Sequence, residues 1–95
     1  ATVLDILAAA RAAIEFLGDL SADDLLRDAK TQSAILHQLL VIGEASKRVS
    51  AEFRARHSDV PWRAMAGMRD KLVHEYDDVD LDEVWNTVVR DLPNL

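Results

Sequence analysis

Apolar residues recur at helical spacing along almost the whole chain. Val3, Leu4, Ile6, Leu7, Ala10, Ala13, Ile14 and Leu17 follow that period, which predicts a first helix over 2–17 with Thr2 at its N-cap. Gly18 can take the left-handed conformation that ends a helix. Ser21 and Asp24 then stand as in a capping box, with Asp in place of Glu or Gln, and open a short second helix over about 22–28. From Lys30 onward, Ile35, Leu39, Ile42, Ser46, Val49 and Phe53 alternate spacings of four and three, which predicts one long helix. Leu36, Leu40 and Gly43 form a neighbouring stripe, so this helix has two apolar sides, one for its own core and one for a dimer contact. Gly43 costs a helix up to about 1 kcal/mol relative to Ala, and close approach of another helix is the reason expected for it. Pro61 suits a first helical position, and Trp62, Met65, Met68, Leu72 and Val73 predict a helix over 61–75. Asp77, Asp78 and Asp80 interrupt the pattern. Asp80 and Glu83 make another cap arrangement, and Leu81, Val84, Trp85, Val88 and Leu92 mark a last helix ending at Pro93. The expectation is an all-α, up-down bundle of four main helices plus a short one, dimerising through the long helices.

Composition narrows this picture. The chain of 95 residues suits a single domain over 1–95. Hydrophobic residues make up 49% but aromatics only 5%, a balance that favours packed helices over a sheet. With no cysteine, disulfides, thiolate metal sites and cysteine nucleophiles are excluded. No apolar stretch approaches the roughly 20 residues needed to span a bilayer, and no basic segment with an apolar run opens the chain, so a cytoplasmic protein is expected. The net charge of −6 argues against a protein that coats nucleic acid, because such proteins gain affinity by displacing counterions with a basic face. It leaves room for an enzyme with one local basic cleft.

The chemistry concentrates in Gly67-Met68-Arg69-Asp70-Lys71-Leu72-Val73-His74-Glu75-Tyr76, where a fixed cation, an imidazole and a phenol stand close together. By itself this grouping assigns no function, because Arg and His on a surface helix often only pair with nearby carboxylates. Its order and spacing, however, resemble the R-x-x-x-x-H-x-Y motif of HepT-like proteins in the HEPN superfamily, the toxin halves of pairs with an MNT-type nucleotidyltransferase. The surroundings are similar as well: Ile42-Gly43-Glu44-Ala45, Pro61-Trp62 and Gly67-Met68 before the motif, and Val79-Asp80-Leu81, Val84-Trp85 and Asp91-Leu92-Pro93 after it. One departure is Asp70, where Asn is more usual; its carboxylate competes with phosphate for Arg69.

The resemblance implies an RNA nuclease that needs no metal or other cofactor, with a ribose 2′-hydroxyl attacking the adjacent phosphodiester. His74 titrates near neutral pH and would move the proton, while Arg69 would hold phosphate oxygens. Tyr76 would orient substrate and, in such families, receives AMP from the nucleotidyltransferase antitoxin, an added negative charge that repels RNA. Glu44 is the implied partner of Arg69, and Lys71 is a further candidate for the site. The implied partners are RNA, the antitoxin and a second copy of the chain.

Geometry sets a condition. Five positions on a regular helix separate Arg69 and His74 by roughly 140°, so either the helix is distorted near His74 or two motifs combine across a two-fold dimer. Asp70 and His74, four apart, share a face. Lys47, Arg48, Arg54 and Arg56 fit a solvated helix face, His37 and His57 fit surface or helix-end roles, and Trp62 and Trp85 fit the core. The acidic run from Asp77 to Glu83 lacks the features of a calcium loop, and no phosphate-binding glycine loop, zinc motif or serine nucleophile elbow occurs. A second function class remains open: a noncatalytic bundle that binds a nucleotide or serves as the partner of a nucleotidyltransferase.

Overall fold

A computed structural model describes residues 2–74 and 80–94. Helix α1 spans Thr2–Leu17, α2 Ala22–Leu26, α3 Ala29–Arg48, α4 Ala51–Arg56, α5 Trp62–His74 and α6 Leu81–Asn86. The last of these passes into a π-helical stretch over Thr87–Asp91 and a final 3-10 turn over Leu92–Asn94. Among the described residues there is no strand, and the bundle is all-α as the pattern predicts.

Local signals account for most boundaries. Gly18 has φ +53°, and its N–H still bonds the Ile14 carbonyl at 3.0 Å, so it closes α1 in the left-handed conformation. The Ser21 hydroxyl accepts from the Asp24 N–H at 3.1 Å, and the Asp24 carboxylate accepts from the Ser21 N–H at 3.2 Å, completing the capping box of α2. Asp28 starts α3 by accepting from both the backbone N–H and the hydroxyl of Thr31, and these bonds hold its carboxyl below the usual carboxylate range. Asp80 caps α6 through the N–H groups of Asp82 and Glu83.

The core lies along α3. Ile35, Leu39 and Ile42 are fully buried, and α1 supplies Ile6, Ala9, Ala10, Ala13 and Leu17 against them. Three alanines on that face let α1 sit close to α3, which carries the most extensive packing of the fold, followed by that of α3 on α5. The groove between the two helices is lined by the beginning of α1 and the second half of α3, so they run in opposite directions. Met65 and Leu72 close the core from α5, and Val84, Val88 and Leu92 from the C-terminal segment.

The long helix differs from expectation. The chain leaves the helix at Val49, which is extended at φ −70° and ψ 134°, and α4 restarts at Ala51. Ser50 drives the restart, since its hydroxyl accepts from the Phe53 N–H at 3.1 Å. The Arg54 guanidinium reaches back across the break and donates to the Ser46 carbonyl at 2.6 Å, satisfying one of the acceptors exposed at the end of α3. The short α4 thus stands where the pattern predicts a continuation of the long helix. Ser50→Ala is expected to lower stability by about 1 kcal/mol, read as a shift of the urea midpoint with unchanged slope; an unchanged midpoint would show that packing alone sets the break.

Candidate active site

The site is built where α5 crosses α3. A Cβ added at Gly43 would lie 2.2 Å from the Arg69 Cβ and 2.9 Å from the Met65 carbonyl oxygen, far inside contact distance. Glycine at this position therefore sets how close the two helices come, and the stem of Arg69 lies directly over it. The next residue on α3 exploits that proximity: Glu44 Oε2 accepts from Arg69 Nε at 2.9 Å. Asp70 Oδ1 accepts from Arg69 Nη1 at 3.2 Å and also from the Lys47 ammonium one turn further along α3. Arg48 lies 3.8 Å from the other oxygen of Glu44.

The result is a line of alternating charge, Arg48, Glu44, Arg69, Asp70 and Lys47, tying two helices together. The hydrogen bond from Lys47 is the main cause that holds the Asp70 carboxyl below its usual range; burial opposes it, and Arg69 adds a lesser lowering. These side chains are 31–51% exposed for Arg69, Glu44, Asp70 and Lys47, so each pair contributes little to stability. Their effect is orientational. Arg69, the least exposed of the four, is fixed beside the groove between α1 and α3, which has a volume of about 690 Å³ and is walled by Ala8, Leu40 and Val41.

Helix α5 remains regular through His74, so the positions of Arg69 and His74 stay roughly 140° apart about its axis. A helix distortion does not bring them together. The His74 side chain and the whole of Glu75–Val79, with Tyr76, lie outside the described residues.

The chain matches the ribonuclease HepT-like family over residues 6–95. It belongs to that family. It is 45% identical over 91 residues to a protein of Thermococcus cleftensis named a probable ribonuclease HepT, covering 96% of this chain and 83% of that one. Two proteins with provisional RNase names are also similar. One, from Methanocaldococcus jannaschii, is 39% identical over 99% of this chain and 78% of its own length. The other, from Caldanaerobacter subterraneus subsp. tengcongensis, is 43% identical over 86% and 73%. No solved structure matches the chain.

In this HepT-like chain the remaining candidates fall away from Arg69. Lys71 reaches α6, where its ammonium lies 3.1 Å from Glu83 Oε2. His57 ends α4 with its ring 4.4 Å from that of Phe53, and Trp62 donates its indole N–H to the His57 carbonyl at 3.0 Å. Trp62 and Trp85 pack against the core, which accounts for them without a base to stack on. His37 is exposed on α3 at the edge of the groove. Among the described residues no cluster of His, Asp and Glu could hold a metal ion, and no helix is long and apolar enough to cross a membrane. Helical spacing places Asp70 on the face of His74 and Lys47 on a solvated face. The link between Lys47 and Asp70 spans 23 positions, and no local spacing encodes it.

Proposed function

We propose that the chain is a metal-independent endoribonuclease toxin acting in the cytoplasm, neutralised when an MNT-type nucleotidyltransferase attaches AMP to Tyr76. The observation that carries this reading is Arg69, seated by Gly43 and aligned by Glu44, inside the motif of a ribonuclease HepT-like family. In the reaction the ribose O2′ bonds to phosphorus while the bond to O5′ breaks, leaving a 2′,3′-cyclic phosphate and a 5′-hydroxyl. His74 takes the proton from O2′ or returns one to O5′, and Arg69 stabilises the charge that builds on the phosphoryl oxygens. Because α5 is regular, a two-fold dimer that brings two motifs to one cleft supplies the geometry a single chain lacks. AMP on Tyr76 would place a negative charge in that cleft and exclude RNA.

The test is incubation of the purified protein with total cellular RNA in EDTA, before and after AMP transfer, with the new ends mapped. Cyclic phosphate ends that appear only with unmodified protein are expected. The Asp70 carboxylate on Arg69 and the net charge of −6 favour the alternative, a noncatalytic nucleotide- or partner-binding module, and absence of cutting across varied RNAs would shift the reading to it.

A further inference from the structure

The guanidinium of Arg69 offers two forks to a phosphate, one from Nε and Nη2 and one from Nη1 and Nη2. One nitrogen of each already contacts a carboxylate: Glu44 sits on Nε at 2.9 Å and Asp70 on Nη1 at 3.2 Å. Nε has a single hydrogen, so a phosphate on the first fork must displace Glu44, whereas on the second it competes with Asp70 for Nη1. Glu44 makes the shorter contact and comes from the helix against which Arg69 is packed. Asp70 makes the longer one, and the same oxygen is also held by Lys47. The Asp70 contact is therefore the one that opens.

We propose that Lys47 is a positioning residue: it retains the Asp70 carboxylate on α3 so that an RNA phosphate can displace it from Arg69 and occupy the Nη1–Nη2 fork. This rests on the ribonuclease reading for the identity of the ligand. Without Lys47, Arg69 is the cation left in contact with the Asp70 carboxylate among the described residues, and the carboxylate closes the fork against phosphate. Lys47 thus opposes the cost of carrying Asp at a position next to the phosphate-binding arginine. The depressed titration of Asp70, whose largest cause is Lys47, agrees with the geometry.

The experiment is a double-mutant cycle on the full chain with Lys47→Gln, Asp70→Asn and both together, with Lys47→Arg as the charge-conserving variant. Two readouts are needed: affinity for a short RNA made uncleavable by 2′-O-methylation, and kcat and KM on the unmethylated RNA. Lys47→Gln should weaken binding and raise KM by roughly two- to fivefold, with kcat nearly unchanged. Lys47→Arg should behave as the parent, and the Lys47→Gln effect should vanish in the Asp70→Asn background. An equal loss in both backgrounds would mean that Lys47 itself holds phosphate, and no loss in either would remove it from the site; each outcome overturns the proposal. Binding that follows the cycle without any cleavage would preserve the clasp and reject the ribonuclease, whereas normal cleavage with a flat cycle would do the reverse.

Discussion

Arg69→Ala and His74→Ala are each expected to lower RNA cleavage by on the order of 10²–10⁴-fold, the range for removing a positioned proton-transfer group or a preorganised charge donor. A sharper result is expected on mixing them. If Arg69 of one subunit works with His74 of its partner, a heterodimer of the two inactive variants contains one intact pair. Unfolding and refolding the variants together should then restore activity well above that of either alone. The regular course of α5 through His74 is the reason to expect this, since it separates the two positions about the axis. No recovery in a mixture shown to contain heterodimers would sink the shared site. Full activity of Arg69→Ala alone would remove Arg69 from the chemistry altogether.

Gly43→Ala is expected to destabilise the fold even though alanine is the better helix former. The gain in helix propensity is up to about 1 kcal/mol. Against it stands a methyl group 2.2 Å from the Arg69 Cβ and 2.9 Å from the Met65 carbonyl oxygen. Neither is the free end of a flexible side chain, so relief requires α5 to move as a body, and overpacking of this kind costs about 1–3 kcal/mol or more. A larger loss is expected for Gly43→Val. The displacement also pulls Arg69 from Glu44, so cleavage should fall although Gly43 touches no substrate. The checks are urea unfolding and cleavage rate on the same preparations. An unchanged midpoint and rate for both variants would show that the crossing is looser than the geometry requires.

Much of the bundle is legible because local chemistry and packing agree. Gly18, Ser21 with Asp24, and Asp80 each terminate or start a helix through bonds within a few residues, and those bonds form. The break after α3 is hidden for a physical reason. Val49 and Phe53 both pack on the core on either side of it, so the apolar stripe continues where the backbone does not. Ser50 is the only local sign, and it lacks the Glu or Gln three residues on that would complete a box. The π-helical stretch is likewise invisible, since Val84, Val88 and Leu92 keep helical spacing through it. At the site, Gly43 could be read from its cost in mid-helix, and Glu44 came with the family resemblance. The hold of Lys47 on Asp70 exists only because α3 and α5 cross at one depth, which no periodicity encodes.

The carboxylates around Arg69 also bear on how the protein finds its target. The cluster carries three cations and two anions, one net positive charge in a chain of −6. The field of the whole chain repels a polyanion, so encounter is slower than the unassisted rate and quickens as salt screens the repulsion. Binding then depends on contacts made after arrival, when phosphate trades places with Asp70. A nuclease arranged in this way would draw its selectivity from those contacts rather than from the rate of encounter.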